Sequence, residues 1–241
     1  HAHEGYGYAL DTAHQAIYHA VQKLESQIPS ENPDSQYLIA FNPHGWEVTG
    51  NIEYDFSWNL RIPSRVEDEK ENSLNHQWVA GSTETGNRNR LVVKLTIPPF
   101  GYRQIRISQG EAARVSSPVT AKEKMLENEF LRVSFSDSGT IEIFDKEKGT
   151  EVFSNKEDGC KALILNDPSD TWSHNIKTYS DVTGSFGNAA FRLLENGPQR
   201  AILRVLTTWG DSSLTIDWML SSGSRILEAG ITLNWHEHLK M

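Results

Sequence analysis

The densest run of polar and aromatic side chains is Asn166-Asp167-Pro168-Ser169-Asp170-Thr171-Trp172-Ser173-His174. Two carboxylates three positions apart, beside an indole and an imidazole, offer two kinds of chemistry. An indole face stacks on a sugar ring while the carboxylates accept its hydroxyl hydrogen bonds. Alternatively, paired carboxyls perform acid/base work. A third reading needs no ligand, because Asp before Pro and Ser-Asp after it are ordinary turn chemistry. Asp167, Asp170, Trp172 and His174 are the candidate cleft residues. Trp172 and His174, two apart, share a face if the backbone is locally extended.

Two histidine pairs invite a metal reading. His236 and His238 flank Glu237, and on a strand they project from one face while Glu237 points to the other. Two ligands are fewer than the three or four that zinc takes, so structural histidines at a strand end are the simpler reading. His1, His3 and Glu4 alternate near the start of the sequence, either as ligands or as an exposed terminus. No Gly-rich phosphate loop, Gly-x-Ser-x-Gly, His-Glu-x-x-His or Cys-x-x-Cys is present. Cys160, the only cysteine, reads as a small buried hydrophobe. Trp46, Trp58, Trp209 and Trp218 lie in or beside apolar runs, and most of them read as packing residues.

The elements that must position these groups divide by period. Leu10, Ala13, Ile17, Val21, Leu24 and Ile28 recur every three or four residues, one stripe of an amphipathic helix with Asp11 or Thr12 as its cap. A lone helix cannot bury its own stripe, so it must pack on something else. From Tyr37 the period falls to two. Tyr37–Phe41, Ile52–Arg61, Leu91–Ile97 and Tyr102–Ile107 read as strands, the last two joined by Pro98-Pro99-Phe100-Gly101. Glu67–Asn72 and Gly81–Asn89 read as surface loops. After an aperiodic connector, runs at Leu126–Phe135, Thr140–Phe144, Thr150–Phe153, Ala201–Leu206, Leu214–Leu220 and Ile226–Trp235 form a second β block, opening as a meander. The expected fold is mainly β: a helical segment (1–35), a small antiparallel β-sandwich (36–110), a linker (111–120) and part of a large antiparallel β-sandwich (121–241).

Composition narrows the partners. A net charge of −9 over 241 residues opposes nucleic acid and anionic membranes, both of which want a basic face, and leaves neutral carbohydrate open. One cysteine allows no internal disulfide and suits a reducing, cytoplasmic setting. No apolar run approaches the roughly 20 residues that span a bilayer.

Several stretches carry a resemblance. They are Phe41-Asn42-Pro43-His44-Gly45-Trp46, Ile97-Pro98-Pro99-Phe100-Gly101-Tyr102, Leu126-Glu127-Asn128-Glu129-Phe130-Leu131-Arg132-Val133 with Gly139-Thr140, Asp145-Lys146 and Gly149-Thr150-Glu151-Val152 after it, and Asn234-Trp235-His236-Glu237-His238-Leu239-Lys240-Met241. In this order they resemble the β region of glycoside hydrolase family 38 α-mannosidases. The resemblance implies a galactose-mutarotase-like large sandwich preceded by the end of a helical middle domain. It further implies a retaining enzyme that removes terminal α-linked mannose with an aspartate nucleophile, an acid/base carboxylate and a zinc ion. Those groups belong to an N-terminal barrel absent from this sequence, so no catalytic residue is expected here and no zinc is expected on this chain alone. His3, followed by Glu4 where the family has Asp, resembles one zinc ligand, with the spacing to Asp11 one short. The implied partners are mannose-containing oligosaccharide and the barrel, with Asp167, Asp170, Trp172 and His174 lining a substrate cleft. The alternative is a free-standing carbohydrate-binding β-sandwich with Trp172 as its platform.

Overall fold

The computed structural model describes residues 2–30, 32–56, 64–81, 89–111, 117–154, 159–170 and 172–241. Trp58, His1 and Thr171 lie outside the described residues, as does most of the loop expected at 81–89. The described residues are mainly β, with one helix and antiparallel sheets, and the chain groups into two compact units. The first is His1–Ile52, Phe56–Leu74 and Lys94–Ala113; the second is Glu53–Asp55, Asn75–Val93 and Arg114–Met241.

In the first unit, helix α1 runs Ala2–Glu25 and buries none of its residues. It begins well before the expected cap. Asp11 and Thr12 therefore sit mid-helix, Thr12 donating back to the Tyr8 carbonyl (2.8 Å) and Asp11 accepting from Gln15 (3.1 Å). Gly5 and Gly7, poor helix formers at about 1 kcal/mol each, made the first turns illegible. The helix ends before Pro29, with Ser26 Oγ donating to the Lys23 carbonyl.

Strands β1 (Gln36–Phe41), β2 (Val48–Phe56), β3 (Ser64–Glu67), β4 (His76–Ala80), β5 (Asn89–Ile97) and β6 (Tyr102–Gln109) form two three-stranded sheets, β1-β6-β3 and β2-β5-β4. Pro98–Gly101 thus carries the chain from one sheet to the other. The buried Asn42 amide holds this corner. It donates to the carbonyls of Trp46 (2.7 Å), Ile97 (3.2 Å) and Pro98 (3.0 Å), and its oxygen accepts from His44 N (3.0 Å). Two separated sequence motifs, around Asn42 and around Pro98, are one structural joint. Trp46 does not pack into a core: it is 64% exposed and stacks on the His44 ring at 4.7 Å, because it lies in the turn after β1 rather than in a strand. Glu67, expected in a loop, ends β3 and is buried beside Arg106.

The second unit holds the large sandwich. One sheet is ordered β11-β10-β9-β8-β7, from β7 (Thr120–Lys122), β8 (Met125–Glu127), β9 (Leu131–Phe135), β10 (Ile141–Asp145) and β11 (Thr150–Glu151). It is the expected meander. Two strands, β12 (Leu163–Leu165) and β13 (Val182–Ser185), form a small ribbon. The second large sheet is β14 (Gly187–Asn196), β15 (Arg200–Trp209), β16 (Ser212–Ser221) and β17 (Leu227–Asn234), in sequence order. The inward positions of β8–β10 (Leu126, Leu131, Val133, Phe135, Ile141) meet those of β15 and β16 (Ala201, Leu203, Val205, Trp218, Leu220) in one core. Their period-two burial is what a face-to-face sandwich requires. Cys160, expected to be buried, is exposed, in a turn where its φ is 55°.

Candidate functional site

Residues 166–181 connect β12 to β13, and this connection carries Asp167, Asp170, Trp172 and His174. Asp170 organises it. One carboxylate oxygen accepts the backbone N–H of Trp172 (3.0 Å) and of His174 (3.1 Å), and the other lies 2.7 Å from His174 Nδ1. The His174 contact, with these N–H bonds, holds the Asp170 carboxyl below its ordinary range. Ser173 and Asn175 both have positive φ (55° and 63°), so the backbone curls. Trp172 and His174 are therefore not an extended pair, and the turn chemistry of Asp170 is the physical reason.

Asp167 has other partners. It accepts from Ser169 N (3.1 Å) and from the Ser169 hydroxyl. Ser169 and Ser173 both reach the Tyr179 hydroxyl, at 3.2 and 2.9 Å. Sequence reasoning missed this row of hydroxyls, since Tyr179 lies beyond the polar run that drew attention. The only available signal was the serine spacing. Trp172 is 80% exposed and leaves its indole face open. The arrangement offers hydroxyls and an aromatic face to a polyhydroxylated ligand. Trp172→Ala is accordingly expected to change stability by no more than about 0.5 kcal/mol, the usual range for surface substitutions. A denaturant-unfolding loss of several times that would show the ring to be a packing residue.

The end of the chain lies against the same loop. Leu165 and Met241 exchange backbone hydrogen bonds, Asp167 N donates to the Leu239 carbonyl, and Lys240 Nζ reaches Asn166 Oδ1 at 2.9 Å. His236, Glu237 and His238 do not extend β17, which stops at Asn234, so the expected strand alternation does not apply. Glu237 accepts from Asp211 N and Ser212 Oγ, both at 2.9 Å, which pins the β15–β16 hairpin. There Gly210 has φ 55°, and an added Cβ would fall 2.5 Å from the Glu237 carboxylate. His236 N donates to Ser212 Oγ, and Trp235 packs on Phe186.

His3 lies on exposed α1, and no group of three His, Cys, Asp or Glu side chains suited to a metal occurs among the described residues. A lone helical histidine supplies one ligand of the three or four that zinc needs, so these residues do not fit a zinc site by themselves. No helix among the described residues is long and apolar enough to cross a membrane.

Comparison with known proteins gives two findings. The family model described as glycosyl hydrolases family 38 C-terminal domain matches residues 126–241. Two solved structures share the fold: a glycosyl hydrolase family 38 protein from Enterococcus faecalis (TM-score 0.66) and an alpha-mannosidase from Enterococcus faecalis V583 (TM-score 0.70). Each is 16% identical over 95% of this chain, and the chain covers 35% and 33% of theirs. No curated protein matches the sequence.

Proposed function

Because residues 126–241 match the glycosyl hydrolases family 38 C-terminal domain, we propose that this chain is the non-catalytic, β-rich portion of a retaining α-mannosidase acting on terminal α-linked mannose. The observation that carries the reading is the α-mannosidase-like fold over 95% of the chain together with the family match. A retaining glycosidase needs a carboxyl raised enough to donate a proton. Here Glu53, Asp137, Glu147 and Asp170 are held low by Arg200, Lys124, Arg225 and His174, and Asp145 by the Lys148 backbone N–H. These five carboxyls are held as anions, the wrong direction for a general acid though not for an ionised nucleophile.

In this reading the nucleophile, the acid/base carboxyl and the set of zinc ligands lie on a partner barrel, His3 contributing one ligand at most. Zinc would supply a Lewis acid at the sugar hydroxyls. This chain's own part is to hold the β framework and the Asp167–His174 loop. A cytoplasmic setting belongs to the same reading and is supported by the single cysteine.

The expected result is that the 241-residue chain does not hydrolyse an aryl α-mannoside, whereas the longer polypeptide containing it does. Turnover by the 241-residue chain that Asp167→Asn or Asp170→Asn abolishes would overturn the reading, and so would an inactive longer polypeptide. The exposed Trp172 face favours a second reading, a free-standing carbohydrate-binding module. That reading requires Trp172→Ala to remove sugar binding by this chain.

A further inference from the structure

One face of the second unit carries a cleft of about 500 Å³ that the loop at 167–174 does not line. Its walls include Ser136, Ser138, Thr140 and Ser185, with Glu142 and Lys161 as charged groups. Phe186, 8% exposed, gives it an apolar patch. This size falls within the ~300–1,000 Å³ of small-molecule sites, which pair apolar surface with a few placed polar groups.

The hydroxyls are fixed in place. Ser136 Oγ lies 2.9 Å from Ser138 Oγ and 2.7 Å from Thr140 Oγ1, and it accepts the Thr140 N–H. Backbone bonds Ser136 N to Thr140 O and Gly139 N to Ser136 O close the turn. Gly139 has φ +90°, and a Cβ there would stand 2.9 Å from Thr207 Cγ2, so the turn is seated directly on β15. A hydroxyl has one donor and two acceptor positions, so this row retains capacity for a ligand after its internal bonds.

The lining also selects a class. Asp137 is ion-paired with Lys124, and Glu142 and Lys161 carry opposite signs. The opposite charges of Glu142 and Lys161 cancel, so the lining has no net pull on an ion of either sign, and a ligand hydroxyl can accept from Lys161 and from the hydroxyl row. We propose that this cleft binds a neutral polyhydroxylated ligand, a sugar ring or the end of an oligosaccharide. The inference takes from the carbohydrate reading above only the choice of probe.

Gly187 lines the cleft, and a Cβ on it would meet nothing within 4 Å, so a side chain can start from there without an initial clash. The test is titration of the 241-residue chain with methyl α-mannoside and with mannotriose, read by calorimetry and by amide chemical shifts. The expected result is saturable binding with shifts at residues 136–142 and 185–187. Gly187→Phe should weaken it by about tenfold or more at an unchanged melting temperature. Ser138→Ala should weaken it about three- to tenfold, the value of one hydrogen bond, and carries the decision if Gly187→Phe does not fold. Absence of saturable binding by both sugars overturns the proposal, as does binding that Ser138→Ala leaves intact or that shifts residues 167–174 in place of 136–142 and 185–187. None of these outcomes bears on hydrolysis by the longer polypeptide, so the two readings fail separately.

Discussion

Arg200→Ala is expected to lower folding stability by about 3–5 kcal/mol, the cost of leaving a buried charge partner uncompensated. Arg200 is 4% exposed. Its guanidinium reaches both oxygens of Glu195 (2.6 and 3.0 Å) and both of Glu53. Glu53 also accepts from Arg90, which pairs with Asp55. The Gln77 side-chain oxygen accepts from Gln199 N and Arg200 N, both at 3.1 Å. Burial alone would pull Arg200 down, but the hydrogen bonds it donates to Glu195 and Glu53 outweigh it and hold the guanidinium charged. Removing it leaves Glu195, itself largely buried, without its guanidinium partner and with the long Gln77 amide contact at 3.5 Å. Chemical denaturation should show a lower midpoint at an unchanged m value. Arg200→Lys keeps the charge but loses the planar fork that serves two carboxylates, so it should recover only part of the loss. A loss below about 1 kcal/mol in Arg200→Ala would place the cluster with surface pairs, which contribute little.

The same cluster sets a pH dependence. Arg200 holds Glu53 below its ordinary 4.5, so folding is favoured by the ionised form. That contribution is fully present above pH 4.5 and is lost as pH falls through the depressed folded value. The gap between wild type and Arg200→Ala should therefore be widest near neutral pH and narrow in acid. A gap that widens as pH falls would show that Glu53 is not the ionised partner.

Much of this fold was legible because it is periodic. The alternation in β9, β15 and β16 names its inward residues, and the Gly139 and Gly149 turns mark the meander. Local signals failed where a contact from elsewhere decides the outcome. The turn at Pro98–Gly101 reads as a link between strands, but nothing nearby says that the strands belong to different sheets. Trp46 looks like a packing residue until the turn at 43–47 turns it outward onto His44. Cys160 follows the same pattern in its own turn. The Asp167–His174 loop announced its polarity in sequence, and its turn chemistry too. The hydroxyl row through Tyr179 and the pairing of Leu165 with Met241 bridge separations that no window covers. The Arg200 cluster is the extreme case: its ion pair with Glu53 spans 147 positions, so neither residue reads as anything but a charged strand residue.

Asn128 shows what a recognisable motif encodes physically, and Asn128→Ala is expected to cost about 3 kcal/mol or more, from several buried groups at about 1–3 each. The amide is 2% exposed. Its nitrogen donates to the carbonyls of Ser221 (2.8 Å) and Ser224 (2.7 Å), and its oxygen accepts from Phe130 N (2.9 Å) and Leu131 N (2.8 Å). Lys146 Nζ reaches its backbone carbonyl, and Glu129 beside it accepts from Gly223 N. The Asn128 side chain therefore ties the turn between β8 and β9 to the turn between β16 and β17, which is where the two sheets of the sandwich meet. Alanine takes the amide donor from the Ser221 and Ser224 carbonyls and the acceptor from the Phe130 and Leu131 N–H groups, although the Ser221 carbonyl still accepts from Ser224 N at 3.3 Å. Asn128→Asp separates the two halves of the role. Its carboxylate keeps the acceptor for Phe130 and Leu131 but faces the Ser221 and Ser224 carbonyls with no donor. It should be at least as destabilising as alanine at neutral pH, and recover in part in acid as protonation restores one donor. Denaturant unfolding of the two variants at neutral and acidic pH decides the matter. If alanine costs less than about 1 kcal/mol, water can take the place of the amide. If aspartate is as stable as wild type at neutral pH, the two donor bonds contribute nothing to the joint.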